Sequence, residues 1–483
     1  MPRRSLLVPW LFVSWMICNA QQQPIYTYQQ LSNVYYAAQK DSLKKAWVCP
    51  DVYPERAVQK KFREIWDART EFLASAIEKQ HFLYEPEVYN YLQGIIDQIM
   101  AANPQRFSAR PLLLIDRSSS ANAYALGNNV LVVNLGLICY SQTREELALA
   151  IAHELSHNLL HHPENGMKEM AEWLKSDEYK NSLKEVLDSK YGRYSRLKKV
   201  FQGYSFSRSK HQRYHESDAD SLAVVLLKNS HIPFKATYFL RLDSADIQYL
   251  RPLKRPLRDY FAAYGLVADE NWMQVRTRGL STKSYNFSDT SSIEDSLKTH
   301  PDCIERYKET VALSDTSAAT TPIPAAVVRK ATKMLIWNLF DDMALTACLY
   351  RIWQEKDKDN SDDWYDFMVY NILAGLYYQD KDLHRFNAIG IQPKEYISKE
   401  YYQLQTMLEQ APTDNLKQYC STLQQAAFWS HRPADEKAMK DFVAMLAATG
   451  DNVEKARRTS AEAFISVNST SMYCEFADQF KKK

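Results

Sequence analysis

The sequence predicts a mainly α-helical protein with a small β-sheet, and composition, periodicity and two short aliphatic runs carry that prediction. Glycine is scarce, at 11 of 483 residues, and tyrosine is abundant at 31, a balance that favours helices over tight hairpins. Through most of the chain, apolar residues recur at three- and four-residue steps, the repeat of an amphipathic helix. The runs 112–115 and 130–133 are short, aliphatic and bounded by turn formers, as strands are. A chain of this length can form two or three domains with a sizeable core. Its 60 basic and 58 acidic residues leave a net charge of +2, so no global footprint for nucleic acid exists and any charge argument is local.

The elements follow in order. Arg3 and Arg4 precede a mostly apolar run from Leu6 to Ile17, and Cys18-Asn19-Ala20 resembles a small-residue cleavage site. Residues 1–20 therefore read as a signal peptide cleaved after Ala20, and the protein is expected to be exported. Bulky Trp15, Met16 and Ile17 before Cys18 argue against a lipoprotein. No later run reaches the roughly 18 apolar residues of a spanning helix, so no transmembrane segment is expected in the mature chain. Residues 21–54, rich in Gln and Tyr, read as a linker. Helical spacing runs from Glu55 to Met100 through Phe62, Trp66, Leu73, Ile77, Leu92 and Ile96, and Asn103-Pro104 closes it. After the two strands, Thr143 and Glu146 form a capping-box signature, and the helix it opens ends near Pro163.

Residues 164–200 keep amphipathic spacing, while Lys190 to Arg213 holds eight basic residues and no acidic one, which reads as a solvated face or mobile loop. A further helix is predicted over Glu216 to Leu227, with Pro233 ending it. Residues 244–300 read as irregular loops around short helices. The run Thr320-Thr321-Pro322-Ile323-Pro324 marks a boundary between residues 55–318 and a C-terminal region, 325–483, with helical spacing throughout and no clear fixed repeat. Cys420 and Cys474 are the pair to test for a disulfide among the six cysteines beyond residue 20, and no C-x-x-C spacing suggests a cysteine metal site.

The chemistry concentrates in EELALAIAHELSHNLLHH, residues 145–162. His153 and His157 stand four apart on one helix face, able to converge on one ion, and Glu154 projects from the neighbouring position, where it can take a proton from water. A catalytic zinc needs a third protein ligand and an open position. Leu160 and Pro163 exclude the metzincin continuation, and His161 and His162 read as residues of a frayed helix end. The remaining candidate is HESDAD, residues 215–220, where Glu216 can ligate from a second helix. Asp220, one turn on, can accept the outer N–H of a ligating histidine.

Together HELSH, the R-x-x-E-x-x-A-D segment from Arg213 to Asp220 and THPDCIER from Thr299 to Arg306 resemble the zinc metallopeptidases that include the CAAX prenyl endopeptidase, HtpX and the BepA-type periplasmic proteases. The resemblance covers roughly residues 55–310 and takes in NAYALGNNVLVVNLGLI, residues 122–138, which is similar to the family's substrate-pairing strand. It implies a zincin-like gluzincin protease domain with one zinc per chain on His153, His157 and Glu216, Glu154 as general base and Asp220 behind the ligands, and it does not reach the all-helical C-terminal domain that the periodicity predicts. It also implies that His300 helps to hold substrate or stabilise the oxyanion. Arg213 could pair near the site or with the loop carrying Arg306, and the sequence does not decide between them. The turn Leu126-Gly127-Asn128-Asn129 departs from the family's Pro-Gly or Gly-Gly turn. Membrane members place spanning helices where this chain has its Lys-rich insert.

The reading is an exported, periplasmic zinc endopeptidase acting on extended or unfolded polypeptides in envelope quality control, with an edge strand near Val130 to Asn134 pairing with substrate. A different class is a helical-repeat binding or chaperone-like protein, its C-terminal domain holding a protein partner and its metal site silent or gated. Nucleic acid is not an expected partner in either.

Overall fold

A computed structural model describes residues 37–79, 81–246, 248–274, 303–315, 317–358, 362–448 and 452–481. The signal-peptide segment lies outside the described residues. The segment read as a linker contains a helix, α1 (Ala37–Ala46), after which Trp47 is buried against α2 (Arg56–Glu78). Trp66 Nε1 donates to the Trp47 carbonyl at 2.6 Å, which pins the two together.

The helical pattern from residue 55 to 100 is two helices with a strand between them. After α2 comes β1 (Phe82–Leu83), and α3 (Pro86–Ala102) then starts afresh, because the Glu85 side chain accepts from Val88 N–H and Pro86 occupies the first turn. The remaining strands are β2 (Leu112–Asp116), β3 (Ala123–Gly127) and β4 (Val130–Asn134), and the sheet order is β1-β2-β4-β3. β2 and β4 pair in parallel, whereas β1 and β3 are antiparallel to their neighbours.

This order explains the two aliphatic runs and corrects one expectation. β2 and β4 are the interior strands, so their residues are apolar on both faces, and Leu113, Leu114, Ile115 and Val130 to Val133 are fully buried. Val130 to Asn134 is paired on both sides and has no free edge for a substrate. The edge strand beside it is β3, whose mixed sequence AYALG gave no strand signal of its own. Its hairpin to β4 turns through Asn128 and Asn129, both at positive φ (50° and 60°), the geometry that suits the right-handed strand twist.

Beyond the sheet, α4 (Leu135–Tyr140) leads to α5 (Arg144–Leu159), whose capping box from Thr143 and Glu146 is formed as predicted. Next come α6 (His162–Lys175), α7 (Asp177–Asp188) and the 37-residue α8 (Arg193–Asn229). Most of the basic run therefore belongs to a continuous helix rather than a loop. From Arg193 to Phe201 the side chains are mostly exposed and none is buried. Among the described residues, α9 (Thr237–Asp246), α10 (Leu257–Ala262) and α11 (Cys303–Thr310) follow before the proline boundary.

The C-terminal region is helical, as expected. It comprises α12 (Ala325–Asp341), α13 (Leu345–Lys356), α14 (Trp364–Lys381), α15 (Arg385–Ile389), α16 (Lys399–Gln410), α17 (Thr413–Gln424), α18 (Ala434–Leu446), α19 (Val453–Val467) and α20 (Cys474–Asp478). Neighbouring helices pack in pairs such as α12 with α13 and α18 with α19. α12 also lies on α4 and α3, and one continuous apolar core runs from Leu83 to Phe480. Arg117 with Asp341 (2.9 Å) and Lys330 with Glu85 (2.7 Å) add ion pairs across this contact. Cys420 and Cys474 are buried free thiols, so no disulfide joins them, and the Cys474 thiol donates to the Asn468 carbonyl at 2.9 Å. Among the described residues, no helix is long and apolar enough to cross a membrane.

Candidate metal centre

Two helices bring the chemistry together. α5 runs under the sheet, its far end tied to β4 by Asn158 Nδ2 donating to the Val130 carbonyl at 3.0 Å. α8 packs along α5 and carries the second set of residues. Helical spacing puts His153 and His157 on one face of α5, and Glu216 and Asp220 on the facing side of α8.

The donors converge. His153 Nε2 lies 3.0 Å from His157 Nε2 and 3.2 Å from Glu216 Oε2, and His157 Nε2 is 3.4 Å from Glu216 Oε1. A tetrahedron with zinc–ligand arms of 2.0–2.1 Å has edges of about 3.3 Å, and each pair of residues approaches to near that value, the two histidines meeting different oxygens of Glu216. His153 (3 % exposed), Glu216 (6 %) and His157 (9 %) are all shielded from solvent. Two imidazoles and a carboxylate are a donor set that zinc accepts, and the residues fit the metal expected. Glu154 is also buried, and its Oε1 is 3.9 Å from His153 Nε2, beside the donors rather than among them.

Behind the donors, Asp220 Oδ1 sits 2.8 Å from His153 Nδ1. Arg306, from α11, grips the same carboxylate with Nε at 2.8 Å to Oδ2 and Nη2 at 2.6 Å to Oδ1. The Arg213 side chain lies outside the described residues. The Arg306 guanidinium is also 4.3 Å above the Phe239 ring. Burial raises the Asp220 carboxyl, but the His153 imidazolium and Arg306 outweigh it and hold it down to about 2. For His153, burial and Arg306 both lower the pKa, and Asp220 and Glu216 more than offset them, leaving it at about 9 in the metal-free site. The cluster thus favours a positive charge where a divalent ion would sit.

His162 departs from the sequence reading. Rather than fraying at a helix end, it places Nδ1 2.8 Å from His157 Nδ1, and its ring stacks on His215 at 4.3 Å. His161, at φ 56°, makes the turn that points its neighbour back at the site. Burial, with the nearby His215 adding to it, lowers the His162 pKa to about 4. Sequence spacing did not expose this contact because it depends on a left-handed residue between two helices. His300 lies outside the described residues.

Residues 86–313 match the family model of Peptidase family M48. The match covers 228 of the 483 residues, and this region is similar to that family. The matched stretch begins at α3 and ends just after α11, so it holds the sheet, the HELSH helix, Glu216, Asp220 and Arg306, and stops short of α12. The family resemblance read from the motifs therefore stands. No curated protein matches the chain.

Proposed function

We propose that this chain is a zinc-dependent endopeptidase in which His153, His157 and Glu216 hold one zinc ion and Glu154 is the general base. The observation that carries the reading is the convergence of three shielded donors with a carboxylate beside them that is not one of the three. Zinc at this position would acidify a water molecule and polarise the scissile carbonyl. Glu154 would take the proton of the attacking water and deliver it to the leaving amine. Asp220, held by Arg306, would keep His153 in the tautomer that presents Nε2. His300 is assigned the oxyanion-stabilising role on the family resemblance alone.

Substrate would bind as an extended strand on the outer edge of β3, a terminal strand of the sheet that lies against α5. Pairing through main-chain groups reads backbone rather than sequence and favours unfolded segments. In the same proposal residues 1–20 direct export to the periplasm, residues 55–318 form the peptidase unit, and the helices of 325–483 engage a protein partner.

The test is metal analysis and proteolysis of an unfolded polypeptide by wild type and Glu216→Gln. The expected result is one zinc per wild-type chain, activity lost to a chelator and restored by zinc, and a variant that retains little metal. Undiminished zinc in Glu216→Gln would remove Glu216 from the ligand set.

A further inference from the structure

The two histidines of the site have different partners behind them. His153 has the Asp220 carboxylate on its outer nitrogen, whereas the outer nitrogen of His157 faces another histidine, His162, with the two Nδ1 atoms 2.8 Å apart. At that distance the nitrogens share one proton, since two bare lone pairs or two N–H groups would repel. Resting on the zinc reading above, the owner of the proton follows: His157 turns Nε2 toward His153 and Glu216, so its proton is on Nδ1. His162 Nδ1 is then the acceptor, and the proton of His162 sits on Nε2.

We propose that His162 is the positioning residue for His157, accepting its Nδ1–H and fixing the ring so that Nε2 meets the metal. The surroundings hold His162 to that task. It is the first residue of α6, set by the left-handed His161 before it and Pro163 after it. Its ring lies flat on His215 (interplanar angle 15°), which neighbours Glu216 in α8. One chain of contacts therefore joins the ligand helix α5, the start of α6 and the third-ligand helix α8. A neutral acceptor here also adds no further anion to a site already holding Glu154, Glu216 and Asp220. Partners of this kind typically contribute 10–100-fold to metal affinity.

Two substitutions separate a hydrogen-bonding role from packing. His162→Phe keeps a ring for His215 but has no acceptor, while His162→Asn loses the ring and places an oxygen close to where Nδ1 stood. Zinc dissociation constants, measured by competition with a chelating dye, are expected to rise roughly 10–100-fold in His162→Phe and only a few-fold in His162→Asn. Melting temperatures of the metal-free proteins are expected to stay close to wild type, which separates an affinity effect from misfolding. Wild-type affinity in His162→Phe, or an equal loss in both variants, overturns the role of His162. Wild-type protein that takes up no zinc is a different result and overturns the reading of the site itself.

Discussion

Replacing Arg306 by Met strands a buried charge. Asp220 is 2 % exposed and takes two charge-assisted hydrogen bonds from the guanidinium, at 2.6 and 2.8 Å. Removing one partner of such a pair costs about 3–5 kcal/mol, because the remaining carboxylate stays desolvated. Here His153 remains 2.8 Å from Asp220, so the lower end applies. A loss of about 3 kcal/mol corresponds to a rise of roughly 150-fold in the unfolding constant. The assay is chemical denaturation of the metal-free protein, comparing wild type, Arg306→Met, Asp220→Asn and the double variant. Asp220→Asn removes the stranded charge, so the double variant is expected to be more stable than the sum of the singles by at least about 1 kcal/mol. A single-variant loss under about 1 kcal/mol, or strict additivity, would refute the argument that Arg306 exists to neutralise Asp220.

Other outcomes follow from the same structure. Gly127→Ala is expected to destabilise by about 1–2 kcal/mol, since the φ of 77° disfavours any Cβ and the new carbon would lie 2.9 Å from Glu164 Oε1; equal denaturation midpoints would contradict this. His81 Nε2 pairs with Asp116 at 2.8 Å, and that bond, against burial, raises the His81 pKa above 6.5, whereas the Asp116 carboxyl, despite burial, is held below 3.8. The His81 contribution is complete below pH 6.5 and fades as pH rises through the raised value, and the Asp116 contribution fades below pH 3.8. His81→Gln is therefore expected to lower the melting temperature more at pH 5.5 than at pH 8.5, and a larger effect at pH 8.5 would reverse the sign. If substrate pairs with the edge of β3, a polypeptide is cut when unfolded and resists when folded; equal rates on both forms would count against strand pairing.

What was legible in the sequence was what is local. HELSH and HESDAD each declare themselves through four-residue spacing on one helix, so spacing alone pairs His153 with His157 and Glu216 with Asp220, and the Thr143 capping box marks where the first of these helices starts. The interior strands were visible because burial on both faces makes them continuously apolar. Sheet order was not, since nothing within Val130 to Asn134 reveals that β3 covers one side and β2 the other. The strand Phe82–Leu83 hid inside a helical pattern because two residues are too few to show a period. Arg306 is 86 residues from Asp220, and a lone arginine carries no spacing to point with. His162 escapes a helical wheel because the left-handed His161 turns it back, and the wheel assumes that no such residue intervenes.

The central claim is that Glu154 moves the proton while three other residues hold the metal. The most direct measurement compares hydrolysis of an unfolded polypeptide by wild type and Glu154→Gln, with zinc content determined on the same samples. The account predicts one zinc per chain in both, with cleavage reduced at least about 100-fold in the variant. Equal cleavage by the two proteins, or loss of zinc from Glu154→Gln, would contradict it.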